Sequence, residues 1–487
     1  MTAIDPYVSS LTDPVFAIHG LPPEVIAVLF AYYSRVPKAL RENLAALLAD
    51  QELGIIEGVG RPAFALASDK AKAFHNKWVV GYGHASVAEH AMVHLALEGL
   101  SILASKVVED ARLASFTEKS TRYVVFQHGS AVMPTEWVDK PSAVDLFTQT
   151  TNGLFDAYQA CVTRATEGLK ARHPEADFSS KTAWETVCRT RALDLCRGLL
   201  PASTGTNVGL TINARELGHL LKKMASHPLG EVRALGTQMH KAGCTVAPTL
   251  LRAPAAEIDP DLRRVMEARR SSALTSARPR DIETGVRVLR HDRDALERVV
   301  DALRYEVAMD LPNDQLPSEQ IAHVCAVLDN RPERGAAPRA FEATSLQVEL
   351  ELDYGAYRDL QRHRMLTPVT GVLTPLRGHE IPHQLVELGC GGLYELAMTR
   401  AVEVWRVLAE GDMYAAQAVV PLAFKHRVLW TLNLRELIHV VELRSARQGH
   451  PSYRRIAWAL ADAATSIFPW LRGHLRVDRQ DYALARA

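Results

Sequence analysis

The sequence predicts an α+β protein built from two similar domains, and three observations carry that prediction. A helical block occurs twice: TINARELGHLLKKM (211–224) and TLNLRELIHVVELR (431–444) share six of fourteen residues. Upstream of each block, VHLALEG (93–99) and SLQVELELDY (345–354) alternate apolar and polar residues, which is typical of strands with one wet face. Helical spacing then predicts helices in SILASKVVEDARLASF (101–116) and YRDLQRHRML (357–366).

The order of these elements is the same in both halves, so an internal repeat is the simplest explanation. A weaker similarity between the halves is that of LFAYYSR (29–35) to LRYEVA (303–308). Between the halves, residues 251–281 are rich in proline, serine, alanine and charged residues, which favours a linker, with helix over part of the stretch as the alternative. The predicted organisation is an N-terminal domain at 1–255, a linker at 256–290 and a C-terminal domain at 291–487.

Composition narrows the class of protein. The chain has 487 residues, 47% of them hydrophobic, enough for two packed cores. Lys+Arg and Asp+Glu both number 56, which gives no electrostatic case for long nucleic acid or an anionic membrane. The six cysteines form no CxxC pair, and no run of about 18 apolar residues occurs. We expect a soluble cytoplasmic protein without a signal peptide.

The segment GHASVAEH (83–90) invites a metal interpretation through His84, Glu89 and His90. Zinc-binding helices place two ligands one turn apart, as in HExxH, whereas these histidines are six residues apart. No metal is therefore predicted. A polar turn and a binding site for an organic ligand both remain open.

Two further stretches concentrate cations and hydroxyl groups. RLASFTEKSTRYVVF (112–126) sets Ser120 and Arg122 before a strand-like apolar run, and such donors can hold a phosphate. Without a Walker loop or GxGxxG, a solvated, capped loop is the alternative. In LQRHRML (360–366), three adjacent bases cannot all face one way. Their apolar flanks favour partial burial near anions, and a basic helix surface is the alternative.

Together these motifs resemble the flavin-dependent thymidylate synthases, the ThyX family. That family has a G-H-x-S/T-x-x-E-H segment, then R-H-R, a loop close to S-x-x-E-x-S-x-R-Y, and a helix that starts N-x-R-x-L and ends in an arginine. This chain looks like two tandem ThyX-like domains, over about residues 20–250 and 295–475. The resemblance implies that each domain is a small mixed or antiparallel sheet packed with helices.

Each half departs from the family pattern where the other half keeps it. The first half has Asp110 and Ala111 in place of the first two R-H-R residues, and Met224 in place of the late arginine. The second half keeps R-H-R and Arg444, but it has no S-x-R-Y loop and only Glu342 from the G-H-x-S segment. Because family sites are assembled from several subunits, we expect composite sites and a homodimer that forms a pseudo-tetramer.

The resemblance implies FAD-dependent methylation of dUMP at C5 to give dTMP, with methylene-tetrahydrofolate and NADPH as co-substrates. Alternatives are related flavin chemistry on another nucleotide or a specialised metabolite, and a non-catalytic flavin- or nucleotide-binding homologue. The implied cofactor-binding residues are His84, Ser86, Glu89, Arg362, His363, Arg364, Asn433, Arg435 and His439. The implied substrate-binding residues are Arg112, Glu118, Ser120, Arg122, Arg197 and Arg444, of which Arg444, Ser120 and Glu118 are also the catalytic candidates.

Overall fold

A computed structural model describes residues 4–14, 16–33, 39–49, 85–248, 250–251, 268, 282, 284–307, 317–333, 335–482 and 484. The chain divides into two compact units. Unit 1 comprises Met1–Leu100, Ala104–Lys119 and Thr206–Ser276. Unit 2 comprises Ser101–Leu103, Ser120–Gly205 and Ala277–Ala487, so it takes segments from both sequence copies. The predicted domain boundaries at 255 and 290 follow sequence similarity and remain a prediction.

Unit 1 contains a three-stranded sheet in the order β1 (Met92–Ser101), β3 (Gly205–Asn213) and β2 (Ala114–Glu118), with β2 and β3 antiparallel. In β1, Val93, Leu95 and Leu97 are buried between exposed neighbours, which confirms the strand predicted at 93–99. The helix predicted over 101–116 is wrong in its second half. The helix α3 ends at Val108, because the residues from 114 onward pair with β3 instead.

Helices supply the rest of unit 1. Near the N-terminus, α1 and α2 enclose a small core that includes Val25, Leu29 and Leu44. The helix α6 follows β3 and buries an apolar face against α7. The bounds are α1 (Pro23–Tyr33), α2 (Leu40–Ala49), α3 (Ile102–Val108), α6 (Ala214–Ala225) and α7 (Gly230–Val246).

Unit 2 contains a four-stranded antiparallel sheet in the order β4 (Val286–His291), β5 (Leu346–Asp353), β7 (Lys425–Leu432) and β6 (Thr367–Thr370). The buried residues of β5 are Leu346, Val348, Leu350 and Leu352, as the alternation predicts. The opposite face of β5 carries carboxylates that pair with arginines on the neighbouring strands. This division into an apolar and a charged face sets the strand register, because a one-residue slip would bury the charges.

The helices of unit 2 come from both sequence copies. The first-copy helix α4 packs against α5 and against the second-copy helix α12. The bounds are α4 (Pro141–Arg172), α5 (Lys181–Cys196), α8 (Ala295–Val307), α9 (Pro317–Asp329), α10 (Tyr354–Leu360), α11 (His383–Glu387), α12 (Gly391–Gly411), α13 (Met413–Ala416), α14 (Leu434–Ser445) and α15 (Pro451–Ile467). No helix among the described residues is long and apolar enough to cross a membrane.

Two predictions about local structure in unit 2 need correction. The helix predicted over 357–366 ends at Leu360, so the R-H-R residues lie in the turn that follows α10. Asp353 caps the start of α10 by accepting a hydrogen bond from the Ala356 amide at 2.7 Å. The apolar run after Arg122 is not a strand; it is irregular, and Phe126 buries its ring.

The repeated sequence block has the same local structure in both copies. The side chains of Asn213 and Asn433 each cap a helix, α6 or α14, by accepting the amide hydrogen three residues later. Arg215 pairs with Glu89, and at the matching place Arg435 pairs with Glu342 at 2.7 Å. Capping and ion pairing therefore account for two of the five identical polar residues in the block, the asparagine and the arginine.

A buried histidine in β7 gives unit 2 an expected acid sensitivity. The ring of His426 lies among Tyr354, Tyr357 and the Thr370 hydroxyl group, and burial together with the Arg377 charge lowers its pKa from 6.5 to about 4. The unfolded chain then binds a proton more readily than the folded protein. The stability is present above pH 6.5 and is lost as the pH falls towards 4, by on the order of 3 kcal/mol.

Urea titrations at several pH values test this expectation. His426→Phe should lose less unfolding free energy than the unsubstituted protein between pH 6.5 and 4. His383→Phe is the control, because His383 is exposed on α11. Equal pH dependence in the unsubstituted protein and the His426 variant would contradict the assignment.

Candidate functional site

Four of the predicted site residues lie in unit 1. Ser86 and Glu89 are exposed on a short 3-10 helix, Ala85–Glu89, and Arg112 is exposed in the turn before β2. The Glu118 carboxylate, at the end of β2, accepts a hydrogen bond from the Ser105 hydroxyl at 2.9 Å. His84, also predicted to bind cofactor, lies outside the described residues.

In unit 2, Arg122 is held by a buried aspartate. Its Nε lies 2.7 Å from Oδ1 of Asp194, and its Nη2 donates to Oδ2 at 3.3 Å. Both Nη atoms also approach the Gln448 carbonyl oxygen, at 3.4 Å. The Ser120 hydroxyl accepts a hydrogen bond from the Arg122 amide at 3.2 Å, which orders the turn that presents the arginine. The predicted pair Ser120 and Arg122 is therefore adjacent in space as well as in sequence.

Arg197 is the second first-copy arginine of this region. It follows α5 in a short 3-10 helix, and both of its Nη atoms donate to Oδ2 of Asp359 at 3.1 Å. Its side chain is 5% exposed, whereas that of Asp359 is 28% exposed. The Nε of Arg197 is buried without a hydrogen-bond partner among the described residues. One N–H group of this guanidinium thus makes no hydrogen bond to any described residue.

The two aspartates are strongly ionised. Burial opposes ionisation of Asp359, but the charges of Arg197 and Arg444 outweigh it and lower its pKa to about 2. Burial also opposes ionisation of Asp194, and there His450, which is charged only in acid, and the permanently charged Arg122 and Arg197 hold the pKa below its usual range. Both carboxylates are therefore anions at neutral pH. We name the Arg122, Asp194, Arg197 and Asp359 set the arginine–aspartate cluster.

His450 lies beside this cluster and is neutral at pH 7. Burial and the Arg197 charge lower its pKa to about 4. Its Nε2 lies 3.3 Å from the Asp194 carbonyl oxygen, and its Nδ1 accepts a hydrogen bond from the Ser452 amide at 3.2 Å. These contacts favour the tautomer that carries the proton on Nε2.

The three residues of the R-H-R turn, Arg362, His363 and Arg364, differ in burial. Arg362 and Arg364 are exposed, and His363 between them is buried. The Nδ1 atom of His363 lies 3.0 Å from Oε1 of Glu436, and Arg444 Nε donates to its Nε2 at 2.8 Å. Because arginine can only donate, Nε2 carries no proton and Nδ1–H donates to Glu436.

His363 is therefore a neutral connector between Glu436 and Arg444. Burial lowers the pKa of His363, and the Arg444 charge acts in the same direction, although the bond to Glu436 opposes them. Arg444 also lies over the Tyr453 ring, with Cζ 5.6 Å from the ring centre, and its charge reaches Asp359. The late arginine of α14 is thus oriented on one side by histidine and on another by tyrosine.

The remaining predicted residues of the second copy surround this connector. Asn433 caps α14, and Arg435 joins that helix to the segment before β5 through Glu342 and the Ala337 carbonyl oxygen. His439 is exposed, and its ring meets that of His363 edge-on at 5.3 Å. Their observed contacts hold α14 in place, and their predicted part in cofactor binding stays a prediction.

The sequence motifs did not indicate four members of this region: Asp194, Asp359, His450 and Glu436. Two signals were available. Arg191, Asp194 and Arg197 recur at three-residue intervals, which is the helical spacing of an ion-pair line. Glu436 belongs to the repeated block itself. Asp359 and His450 carry no local signal, because their partners lie far away in the sequence.

Comparison with known proteins agrees with this architecture. The model of the family described as thymidylate synthase complementing protein matches residues 34–249 and again residues 287–470. A UPF0159 protein of Chlamydia muridarum is 33% identical over 99% of this chain and 95% of its own length. A flavin-dependent thymidylate synthase of Mycolicibacterium gilvum is 29% identical over 41% of this chain and 78% of its own length.

Among solved structures, a UMP/dUMP methylase PolB of Streptomyces cacaoi, bound with 5-Br dUMP, superposes on 40% of this chain and 96% of that chain. The TM-score is 0.31 at 19% sequence identity. The family assignment rests on the sequence matches, which cover both copies and nearly the whole chain. The chain, with two matches to one family model, belongs to the thymidylate synthase complementing protein family.

Proposed function

We propose that the protein is an FAD-dependent enzyme that methylates a uracil nucleotide at C5, converting dUMP to dTMP with methylene-tetrahydrofolate and NADPH. Family membership and similarity to a flavin-dependent thymidylate synthase support this proposal. The observation that carries it is the convergence of first-copy and second-copy arginines in unit 2, around Asp194 and Asp359. The planar guanidinium group of arginine suits phosphate because its N–H groups can donate to two oxygens at once.

The charge of this region fits an anionic ligand. Five arginines and four aspartates act on one another there, so the arginines outnumber the aspartates by one: Arg122, Arg191, Arg197, Arg358 and Arg444 against Asp194, Asp353, Asp359 and Asp481. The Nε of Arg197, for which the described ranges supply no hydrogen-bond acceptor, is a further donor.

Within this proposal, Ser120, Arg122 and Arg197 hold the nucleotide phosphate. Arg444 places its charge beside a pyrimidine carbonyl and stabilises the negative charge that develops as C5 becomes nucleophilic. Exposed Arg362 and Arg364 are the candidates for the anionic groups of FAD. When bound, FAD would supply the redox chemistry that carries the folate methylene to the ring and reduces it to methyl.

We also propose that each active site is composite and that two chains form a pseudo-tetramer. The meeting of first-copy Arg197 with second-copy Asp359 inside unit 2 supports a site drawn from both copies. Light scattering of the purified protein should give the mass of a dimer. A monomer that turns over at full rate would contradict this part of the proposal.

The function is tested directly by purification, flavin identification and a methylation assay. We expect bound FAD and formation of dTMP that requires dUMP, NADPH and methylene-tetrahydrofolate together. UMP and uridine serve as competing substrates, which separates the thymidylate reaction from chemistry on another nucleotide. A protein that binds flavin but methylates none of them would favour a non-catalytic homologue.

Two arginine variants should separate cofactor binding from nucleotide binding. Arg364→Ala should weaken FAD retention, because it removes an exposed cation of the R-H-R turn. Arg122→Lys should keep FAD and raise the KM for dUMP about tenfold or more, because lysine preserves the charge beside Asp194 but loses the fork. Arg339→Ala is the control, since Arg339 is a highly exposed arginine. If FAD content and KM stay unchanged in both variants, the assigned roles are wrong.

A further inference from the structure

The arginines of the arginine–aspartate cluster already hold anions that belong to the protein. Arg197 donates twice to Oδ2 of Asp359, and Arg122 engages both carboxylate oxygens of Asp194. A phosphate that binds these guanidinium groups therefore competes with a carboxylate. The affinity for such a ligand depends on how readily that carboxylate moves away.

The two aspartates differ in their freedom to move. The Asp194 side chain is only 3% exposed and lies against Arg122, Arg191 and His450, so leaving would expose several buried partners. The Asp359 side chain is 28% exposed, whereas its partner Arg197 is 5% exposed. Asp359 can therefore turn towards water while Arg197 stays in place.

The local backbone is consistent with this asymmetry. Asp359 lies near the end of the short helix α10, one residue before its last member, Leu360. Arg197, by contrast, lies in a buried 3-10 helix between buried Cys196 and Leu199. The Nε of Arg197, which has no hydrogen-bond partner in the part of the chain that the structure describes, gives an arriving anion a donor that Asp359 does not use.

We propose that Asp359 is an exchangeable internal counter-ion of Arg197 that sets the charge selectivity of the nucleotide site. A ligand phosphate displaces the carboxylate and takes over its hydrogen bonds from Arg197, whereas a ligand without a phosphate leaves the pair closed. The site thus discriminates nucleoside monophosphates from nucleosides, because only a phosphate offsets the free energy needed to separate Arg197 from Asp359. This inference rests on the proposed function, since it assigns Arg197 to the phosphate.

Isothermal titration of the full-length protein with inorganic phosphate, dUMP and deoxyuridine tests the inference. Asp359→Asn should tighten binding of phosphate and of dUMP roughly tenfold to a hundredfold, because the competing charge is gone. Asp359→Glu keeps the charge and should stay within about threefold of the unsubstituted protein. Asp462→Asn is the control, since it opens an exposed pair with Arg479, and it should change nothing.

Unchanged or weaker phosphate binding by Asp359→Asn, with an unaltered melting temperature, would overturn the inference. If Asp359→Asn does not fold, Asp359→Ser gives a second measurement. Serine also removes the competing charge, so binding of inorganic phosphate should again tighten roughly tenfold. Unchanged or weaker phosphate binding by that variant would also overturn the inference.

The outcomes separate this inference from the proposed function. Tighter phosphate binding by Asp359→Asn in a protein that methylates none of the nucleotides would support the counter-ion and reject the reaction. Methylation of dUMP combined with unchanged phosphate affinity in Asp359→Asn would support the reaction and reject the counter-ion.

Discussion

Arg444→Met is expected to lower the turnover number for dUMP methylation by about 100- to 1,000-fold, the effect of removing one preorganised charge from an active site. Arg444 is oriented by His363 Nε2 at 2.8 Å and by the Tyr453 ring. Methionine is the residue at the matching place in the first copy, where Met224 is buried in α6. The substitution therefore imposes the first-copy state on the second copy.

Steady-state kinetics with saturating dUMP measure this effect. Arg444→Lys restores the charge without the Nε that contacts His363, so we expect partial recovery of turnover. Arg400→Met is the control, because Arg400 is exposed on α12. A turnover number for Arg444→Met within a factor of three of the unsubstituted protein would exclude Arg444 from the chemical step.

Asp194→Ala is expected to lower the unfolding free energy of unit 2 by about 3–5 kcal/mol, the range for removing one partner of a buried ion pair. The Asp194 carboxylate is almost completely buried between Arg122 and Arg191, and its backbone carbonyl contacts His450. Without it, Arg122 and Arg191 would lose the carboxylate that lies between them, in a region of low dielectric constant. The loss is large because the charges cannot reach water without moving the surrounding helices.

Urea unfolding followed by circular dichroism measures this loss at pH 7. Asp194→Asn should be less harmful than Asp194→Ala, because the amide oxygen still accepts hydrogen bonds. Asp462→Ala breaks an exposed pair and should cost no more than about 1 kcal/mol. If Asp194→Ala lowers the unfolding free energy by no more than Asp462→Ala does, the arginines have found other partners.

Much of the fold was predictable from local sequence pattern. The alternation of Leu346, Val348 and Leu350 predicted a half-buried strand, and β5 buries those residues. The apolar spacing after Asn433 predicted α14, and its capping explains why asparagine recurs. The prediction that the chain carries two divergent copies of one family is confirmed by the two family-model matches. These features depend on periodicity and on hydrogen bonds that span three or four residues.

The predictions that were wrong involved partners from far along the chain. Residues 114–116 were included in the predicted helix, yet residues 114–118 pair with β3, about a hundred residues away, because a strand edge was available there. The helix through R-H-R ends early, since burying His363 against Glu436 requires a turn. In both places the tertiary contact stabilises the observed conformation by more than the local helix propensity stabilises a helix.

The sequence by itself determined the family, the two copies and the identity of the retained motif residues, because each of these is written in local patterns. The tertiary structure alone decided what charge those residues carry and which groups face them. His363 is neutral between Glu436 and Arg444, and Arg197 is paired with Asp359, across 162 residues of chain. The ionisation and pairing of a side chain depend on burial and on charges within a few ångströms, and folding brings those charges together from distant parts of the sequence.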